Sequence, residues 1–410
     1  MLRRGCHCRG VNVLAEKKII SSSQLFLVFL KLGLISFGGP IAHLGYFRDE
    51  FVKKLKWVSD HAYGDLVALC QFLPGPASSQ VGIAIGLSKG GIRGSIVAWL
   101  GFTMPSALIM IAFGLILTKT RVNLNQPWIH GLKLVAVPVV AQALWGMGKN
   151  LCPDKKRASL AVFACIGASL IPSAFGQIVM ILSGGVLGLI FLTPDKKLPE
   201  SELTVPLSRQ NGRIFLVIFF ILLFGLPLIS VYIPYYSFHL FESFYKVGAL
   251  VFGGGHVVLP LLQTEVVSNG WVDQSLFLAG YGAAQAIPGP MFTFSAYLGA
   301  VSNLTPNGWL GGLIALVAIF LPSFLLIMGI LPLWQKIRNY GFMQRTILGV
   351  NAAVVGLLLS AFYKPIWSTA ILSMNDYLLA MMAFILLEFW KIPVWIIVLF
   401  CAIFTGLGWY

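Results

Sequence analysis

Long apolar runs separated by short polar segments dominate the chain. Thirteen runs have about the length of 20 residues that a helix needs to cross the hydrocarbon core of a bilayer. They cover residues 24–45, 62–87, 92–118, 132–149, 158–174, 176–193, 214–234, 239–262, 276–300, 309–333, 344–363, 369–390 and 393–409. The pattern predicts an all-α polytopic membrane protein with about 13 transmembrane helices.

Composition supports this class and excludes others. Of the 410 residues, 58% are hydrophobic and only 10% are charged, whereas soluble domains carry about 25% charged residues. A soluble enzyme, a disordered protein and a nucleic-acid-binding domain are therefore excluded, despite a formal net charge of +15. In a membrane protein, such an excess of Lys and Arg indicates topology.

The positive charges predict the orientation of the chain. If loops alternate sides, 19 of the 29 Lys and Arg fall on the N-terminal side and 7 on the other, while Lys31, Lys133 and Lys246 fall inside predicted spans. The positive-inside rule then predicts a cytoplasmic N-terminus. Four cations within 48–56 oppose this assignment, so a re-entrant segment there or a broken first span stays open.

The two halves of the chain carry the same motifs. FLKLGLISFGGP (29–40) matches FYKVGALVFGGG (244–255) at an offset of 215, and QFLPGP (71–76) matches QAIPGP (285–290) at an offset of 214. Seven predicted spans separate the copies, an odd number, so the copies have opposite orientations. Inverted-topology repeats of this kind are typical of secondary transporters.

This duplication divides the chain into five parts. They are a basic cytoplasmic N-terminal arm (1–23), a first transmembrane repeat (24–193), a linker (194–213), an extra transmembrane helix (214–234) and a second transmembrane repeat (235–410).

Helix breakers recur at matching places in the repeats. They are Gly38-Gly39-Pro40, Pro74-Gly75-Pro76, Gly253-Gly254-Gly255 and Pro288-Gly289-Pro290, all within apolar runs. Proline removes a backbone donor and clashes with the preceding turn, so broken helices are expected. Unwound backbone survives at membrane depth only inside protein or beside a cavity. Free N–H groups at half-helix ends suit an oxyanion. Kinking for packing explains one such motif, but four in symmetric pairs favour a substrate site.

Side chains near the breaks add candidates. Lys31 and Lys246 are repeat-equivalent and are expected to attract an anion, unless they snorkel from helix ends. His43 and His256 follow the first breaks as hydrogen-bond donors, proton sites or structural histidines. Other polar residues flank the breaks and are able to bind an oxyanion or to join helices: Ser36, Ser78, Ser79, Gln80, Thr293 and Ser295.

Catalytic motifs are missing from the sequence. It contains no His-Glu-x-x-His, Gly-x-Ser-x-Gly, Walker A or Cys-x-x-Cys motif. We therefore predict no enzyme activity, no cofactor and no metal site. Without a P-loop, ATP is not the energy source in this chain, which leaves a secondary transporter driven by an ion gradient or by the membrane potential.

Four segments resemble the chromate ion transporter family. They are residues 32–52, 69–86, 247–267 and 282–299. The resemblance implies two chromate transporter domains in a carrier of the bacterial inner membrane. Such carriers export chromate, are powered by the proton-motive force, and also handle sulfate, the isosteric dianion. Family motif residues that stand here are Gly38, Gly39, Pro40, Gln71, Pro74, Gly75, Pro76, Gly253, Gly254, Gly255, Gln285, Pro288, Gly289 and Pro290.

The main hypothesis is a carrier that exports chromate or a sulfate-like oxyanion, which binds near mid-membrane between the breaks. Four alternatives stay open: an anion channel on the same scaffold, a sulfate uptake or exchange carrier, a membrane-embedded enzyme such as a chromate reductase, and a scaffold without transport. The last of these does not explain why the helix breakers recur in register. The expected partners are the oxyanion, membrane lipid and coupled protons, with no nucleic acid. A monomer and a homodimer both stay open.

Overall fold

A computed structural model describes residues 20–120, 126–193, 206–252, 255–334 and 341–407. The predicted basic arm up to residue 19, residues 194–205 of the predicted linker, and Gly253 and Gly254 of the third break lie outside these ranges. Within them the chain is all-helical, without a β-strand.

Sixteen α-helices organise the described chain. They are α1 (Ser22–Ile35), α2 (Gly39–Phe47), α3 (Asp60–Phe72), α4 (Ala77–Lys119), α5 (Pro127–Leu151), α6 (Lys155–Leu170), α7 (Ala174–Phe191), α8 (Arg209–Ser230), α9 (Tyr236–Leu250), α10 (Val258–Val266), α11 (Gln274–Ala286), α12 (Phe294–Ala300), α13 (Gly308–Ile330), α14 (Gly341–Ala361), α15 (Met374–Glu388) and α16 (Val394–Gly406). Shorter helical turns adjoin some of them: Arg48–Lys54, Gly255–Val257, Met291–Thr293, Leu331–Leu333, Phe362–Trp367 and Ser368–Ala370.

Apolar helices of spanning length are present. Five helical stretches within the described ranges are long and apolar enough to cross a membrane: Ala77–Lys119, Pro127–Leu151, Arg209–Ser230, Gly308–Leu333 and Gly341–Ala370. The count of 13 spans and the inverted orientation of the repeats stay predictions.

Helix α4 folds back on itself at Gly91. This residue has φ 62° and ψ −156°, which is not helical. Residues eight positions apart in a straight helix are separated by about 12 Å. Here, however, a Cβ added to Gly86 would lie 2.5 Å from the carbonyl oxygen of Gly94. The segments before and after Gly91 therefore form a tight helical hairpin held by backbone contact between small residues, as is usual for helices in membranes.

The second half repeats this hairpin with a longer turn. Helices α12 and α13 are joined by residues 301–307. A Cβ added to Gly311 would collide with the carbonyl oxygen of Gly299. At the repeat offset of 214, Gly91 corresponds to Thr305, which lies within this turn.

The last helices of each half pack on the other half. Helix α5 of the first half packs against α15 and α16, and Gln142 of α5 donates to the Leu387 carbonyl at 3.0 Å. Helix α14 of the second half packs against α6 and α7, where a Cβ on Gly184 would lie 2.5 Å from the Cβ of Ala353. Each half is therefore completed by helices of its counterpart.

Candidate functional site

The helices break where the Gly and Pro motifs fall. Helix α1 ends at Ile35 and α2 begins at Gly39, and the intervening Gly38 has φ 96°. Helix α3 ends at Phe72 and α4 begins at Ala77, with Gly75 at φ 119°. These φ values are strained for any residue with a Cβ, so glycine is required.

The second half breaks at the corresponding places. Helix α9 ends at Leu250, and helical structure resumes at Gly255. Helix α11 ends at Ala286, and Gly289 in the following break has φ 107°. Proline residues 288 and 290 flank this glycine, as residues 74 and 76 flank its counterpart.

Two symmetric hydrogen bonds join the breaks of opposite halves. The Gly75 N–H donates to the Val251 carbonyl at 2.6 Å, and the Gly289 N–H donates to the Ser36 carbonyl at 2.9 Å. Gly75 corresponds to Gly289, and Ser36 corresponds to Val251. Each bond therefore connects the second break of one half to the first break of the other, and we call this arrangement the crossing.

Equivalent serines lie against both glycines of the crossing. A Cβ added to Gly75 would lie 2.5 Å from Ser323 Oγ, and one added to Gly289 would lie 2.7 Å from Ser106 Oγ. The serines are offset by 217 and the glycines by 214, so the second half has three more residues between its glycine and its serine. A substitution at either glycine therefore meets backbone strain and a side chain together.

The two first breaks also approach each other directly. A Cβ added to Gly255 would lie 3.4 Å from Pro40 Cγ. Pro40 and Gly255 are repeat-equivalent, so this contact lies where the two halves meet. All four breaks therefore converge on one region in the interior of the described chain.

Polar side chains surround the crossing on the first half's side. His43 Nε2 lies 3.1 Å from the Ser36 carbonyl oxygen and must be the donor, because a carbonyl only accepts. Its Nδ1 lies 3.3 Å from Ser78 Oγ. In neutral His43 the Ser78 hydroxyl therefore donates to Nδ1. Gln80 Nε2 donates to the Pro74 carbonyl at 2.6 Å. His43, Ser78 and Gln80 are all buried.

His256 and the motif glutamines have other surroundings. His256 Nδ1 lies 2.7 Å from the hydroxyl of Tyr281. The Gln285 amide contacts the Met291 sulfur at 3.8 Å, and Gln71 is exposed. The crossing does not use these three side chains in its hydrogen bonds.

The two predicted anion-attracting lysines are neutralised by carboxylates. Lys31 lies 3.2 Å from Glu50 Oε1, and Lys246 lies 2.8 Å from Glu265 Oε1 and 3.5 Å from Glu242 Oε1. Lys31 and Lys246 are repeat-equivalent, as are Glu50 and Glu265. Each lysine therefore lies in an ion pair with a carboxylate, and the expectation that they attract the anion stays a prediction.

A different lysine keeps an unbalanced charge. Lys133 on α5 is 7% exposed, and its ammonium donates to Ser275 Oγ at 3.3 Å. No carboxylate lies within 4.0 Å of it in the described ranges. On α14, the Nε of Arg345 is also buried without a hydrogen-bond partner in the described ranges. The sequence signal for Lys133 is a cation inside an apolar run.

An all-helical chain with apolar helices of spanning length and interior helix breaks defines a multi-pass membrane protein. A family model described as chromate transporter matches residues 23–189 and again residues 238–407. The chain belongs to the chromate transporter family.

Curated relatives cover most of the chain. A probable chromate transport protein of Synechococcus elongatus is 28% identical over 83% of this chain and 84% of its own length. An uncharacterised transporter of Methanocaldococcus jannaschii is 26% identical over 83% of both chains. A chromate transport protein of Pseudomonas aeruginosa is 25% identical over 83% of this chain and 80% of its own length. No solved structure matches the chain.

Proposed function

We propose that this chain is a secondary transporter that exports chromate or an isosteric oxyanion such as sulfate across the bacterial inner membrane. The crossing carries the proposal, because it brings four helix breaks together through the Gly75–Val251 and Gly289–Ser36 hydrogen bonds. Family membership and the names of the relatives support chromate as the substrate.

The breaks supply the chemistry for binding an oxyanion. The N-terminal ends of α2 and α4 have no side-chain cap, so their first backbone N–H groups face the break region without an internal acceptor. Helix N-termini carry about half a positive charge, which favours an anion without a full counter-charge. Hydrogen bonding from several such groups replaces the water that the anion loses on entry.

The membrane potential provides enough energy for export. Moving one charge across 100 mV is worth about 2.3 kcal/mol, so a dianion leaving a cell that is negative inside gains about 4.6 kcal/mol. Because about 1.4 kcal/mol corresponds to tenfold, this supports roughly a 2,000-fold concentration ratio. In this mechanism one half rocks against the other around the anion, with a cytoplasmic N-terminus. Coupled protons are an additional source of energy.

Flux measurements in proteoliposomes test the proposal. Vesicles loaded with radiolabelled chromate, or with sulfate, are given a potassium diffusion potential with valinomycin. We expect saturable efflux from vesicles whose lumen is negative, and we expect this efflux to slow when the potential is collapsed. A proton gradient should raise the efflux only if protons are coupled to transport. If protein reconstituted in either orientation moves neither anion, the proposal is refuted. Single-channel currents without saturation would select the anion channel.

A further inference from the structure

We propose that the oxyanion binds off-centre, on the first half's side of the crossing, at a polar cluster formed by Ser36, His43, Ser78, Ser79 and Gln80. This inference rests on the proposed function and adds the location of the ligand and the groups that hold it. It assigns no such role to the matching positions of the second half.

The repeat positions differ in chemistry in one direction. At the offsets of 214 and 215, four residues of the polar cluster are replaced in the second half by apolar or aromatic residues. Ser36 corresponds to Val251, His43 to Val258, Ser78 to Phe292 and Gln80 to Phe294. All eight of these side chains are buried. The backbone hydrogen bonds of the crossing are therefore matched in the two halves, while these four positions carry polar side chains in the first half only.

The hydroxyls of Thr293 and Ser295, which follow the last break of the second half, donate to their own backbone. Thr293 corresponds to Ser79, and its Oγ1 donates to the Pro290 carbonyl at 2.9 Å. Ser295 Oγ donates to the Phe292 carbonyl at 2.7 Å. Local bonds of this kind leave no hydroxyl proton for a ligand, so these two side chains serve their own helix turns.

Polar atoms of the first half lack partners although they are buried. Ser36 Oγ, Ser79 Oγ and Gln80 Oε1 have no hydrogen-bond partner within the described chain. The three residues are 0%, 2% and 0% exposed. Thr103 Oγ1, on the second arm of the α4 hairpin, also has no hydrogen-bond partner within the described chain, and Thr103 is 0% exposed. Buried polar groups are nearly always paired, so several unpaired ones in one cluster indicate a ligand that completes them.

The unpaired groups match a tetrahedral oxyanion. Serine hydroxyls donate to its oxygens, and Ser78 to Gln80 form the first turn of α4, whose N-terminus is uncapped. Gln80 Oε1 is an acceptor, so it receives a hydrogen from a water that enters with the ion or from a protonated oxygen of the ion. Neutral donors hold the anion without trapping it, which suits a carrier that must release it.

Matched alanine variants in the two halves test the inference. Ser36→Ala and Ser79→Ala remove donors of the polar cluster, whereas Thr293→Ala and Ser295→Ala remove hydroxyls bound to their own backbone. We expect the first two to raise the half-saturation concentration of chromate flux by roughly 10- to 100-fold, as for a lost hydrogen bond to a charged ligand. The second two are expected to change it less than about 2-fold, and Ser79→Thr should restore binding.

The readouts separate the possible failures. Equilibrium binding of radiolabelled chromate to purified protein in nanodiscs, with the unfolding temperature of each variant, identifies variants that merely fold poorly. If wild type neither binds nor moves chromate or sulfate, the proposed function fails. If wild type transports, but Thr293→Ala and Ser295→Ala weaken binding as much as Ser36→Ala and Ser79→Ala, the off-centre site is wrong while the function stands. Unchanged binding in all four variants overturns it equally.

Discussion

Replacing Gly289 by alanine perturbs one hydrogen bond of the crossing in a calculable way. At φ 107°, Gly289 lies outside the conformations that L-residues adopt readily, and such strain costs about 1–3 kcal/mol. The new Cβ would lie 2.7 Å from Ser106 Oγ and 3.1 Å from Ser106 Cβ, well inside the optimal separation of about 3.5–4.0 Å. Overpacking of this kind costs about 1–3 kcal/mol more. We expect a total destabilisation of about 2–6 kcal/mol.

The measurement combines stability with transport. Unfolding of Gly289→Ala in detergent is compared with that of Gly64→Ala, since Gly64 lies within α3 and an added Cβ there has no atom within 4 Å. That control is expected to be neutral or to gain up to about 1 kcal/mol from helix propensity. Adding Ser106→Ala to Gly289→Ala should recover part of the loss, because it removes the nearer clash and leaves the backbone strain. Wild-type unfolding and flux in Gly289→Ala would refute the geometry of the crossing.

Variants at four further positions probe the charges and the hairpin. Lys246→Ala should destabilise the protein by about 3–5 kcal/mol in denaturant unfolding, because it leaves Glu265 buried and unpaired. Lys31→Ala should destabilise it clearly less, because the Lys31 side chain is 54% exposed. Equal losses of stability in the two variants would contradict this reasoning. Because a cation at membrane depth usually serves function, Lys133→Met should lower chromate flux several-fold, while Lys133→Arg should retain it. Equal flux in both variants would show that the charge of this residue is not needed for transport. Gly86→Ala should disrupt the hairpin and lower the unfolding temperature, and an unchanged temperature would argue against the chain reversal.

Sequence reasoning located the helix breaks but not their connections. A duplicated Gly or Pro motif within an apolar run is a local signal, because proline and positive φ act on the residues that carry them. The hydrogen bond from Gly75 to Val251 joins residues 176 positions apart, and no periodicity records it. The same limit explains the hairpin at Gly91, where two adjacent apolar runs were visible but their close backbone contact was not.

The charges show a second limit. Lys31 and Glu50 repeat as Lys246 and Glu265, so both members of each ion pair were visible as equivalent residues. The 18 residues between the two members of each pair include a helix break, and the sequence does not give the direction in which the chain continues after it. The sequence therefore predicted lysines that attract an anion, and their pairing with the glutamates was not predicted. A repeated cation together with a repeated carboxylate at a fixed spacing is the signal that would have indicated the ion pairs.

Because the terminal helices of each half pack on the other half, the two halves are not expected to fold as separate fragments. Helix α5 is covered by α15 and α16, and α14 is covered by α6 and α7. A cut in the 194–213 segment would therefore give two polypeptides that each expose a groove of small residues when made alone. Synthesised together, the two fragments would assemble into one molecule only if the last two helices of each fragment packed on the other.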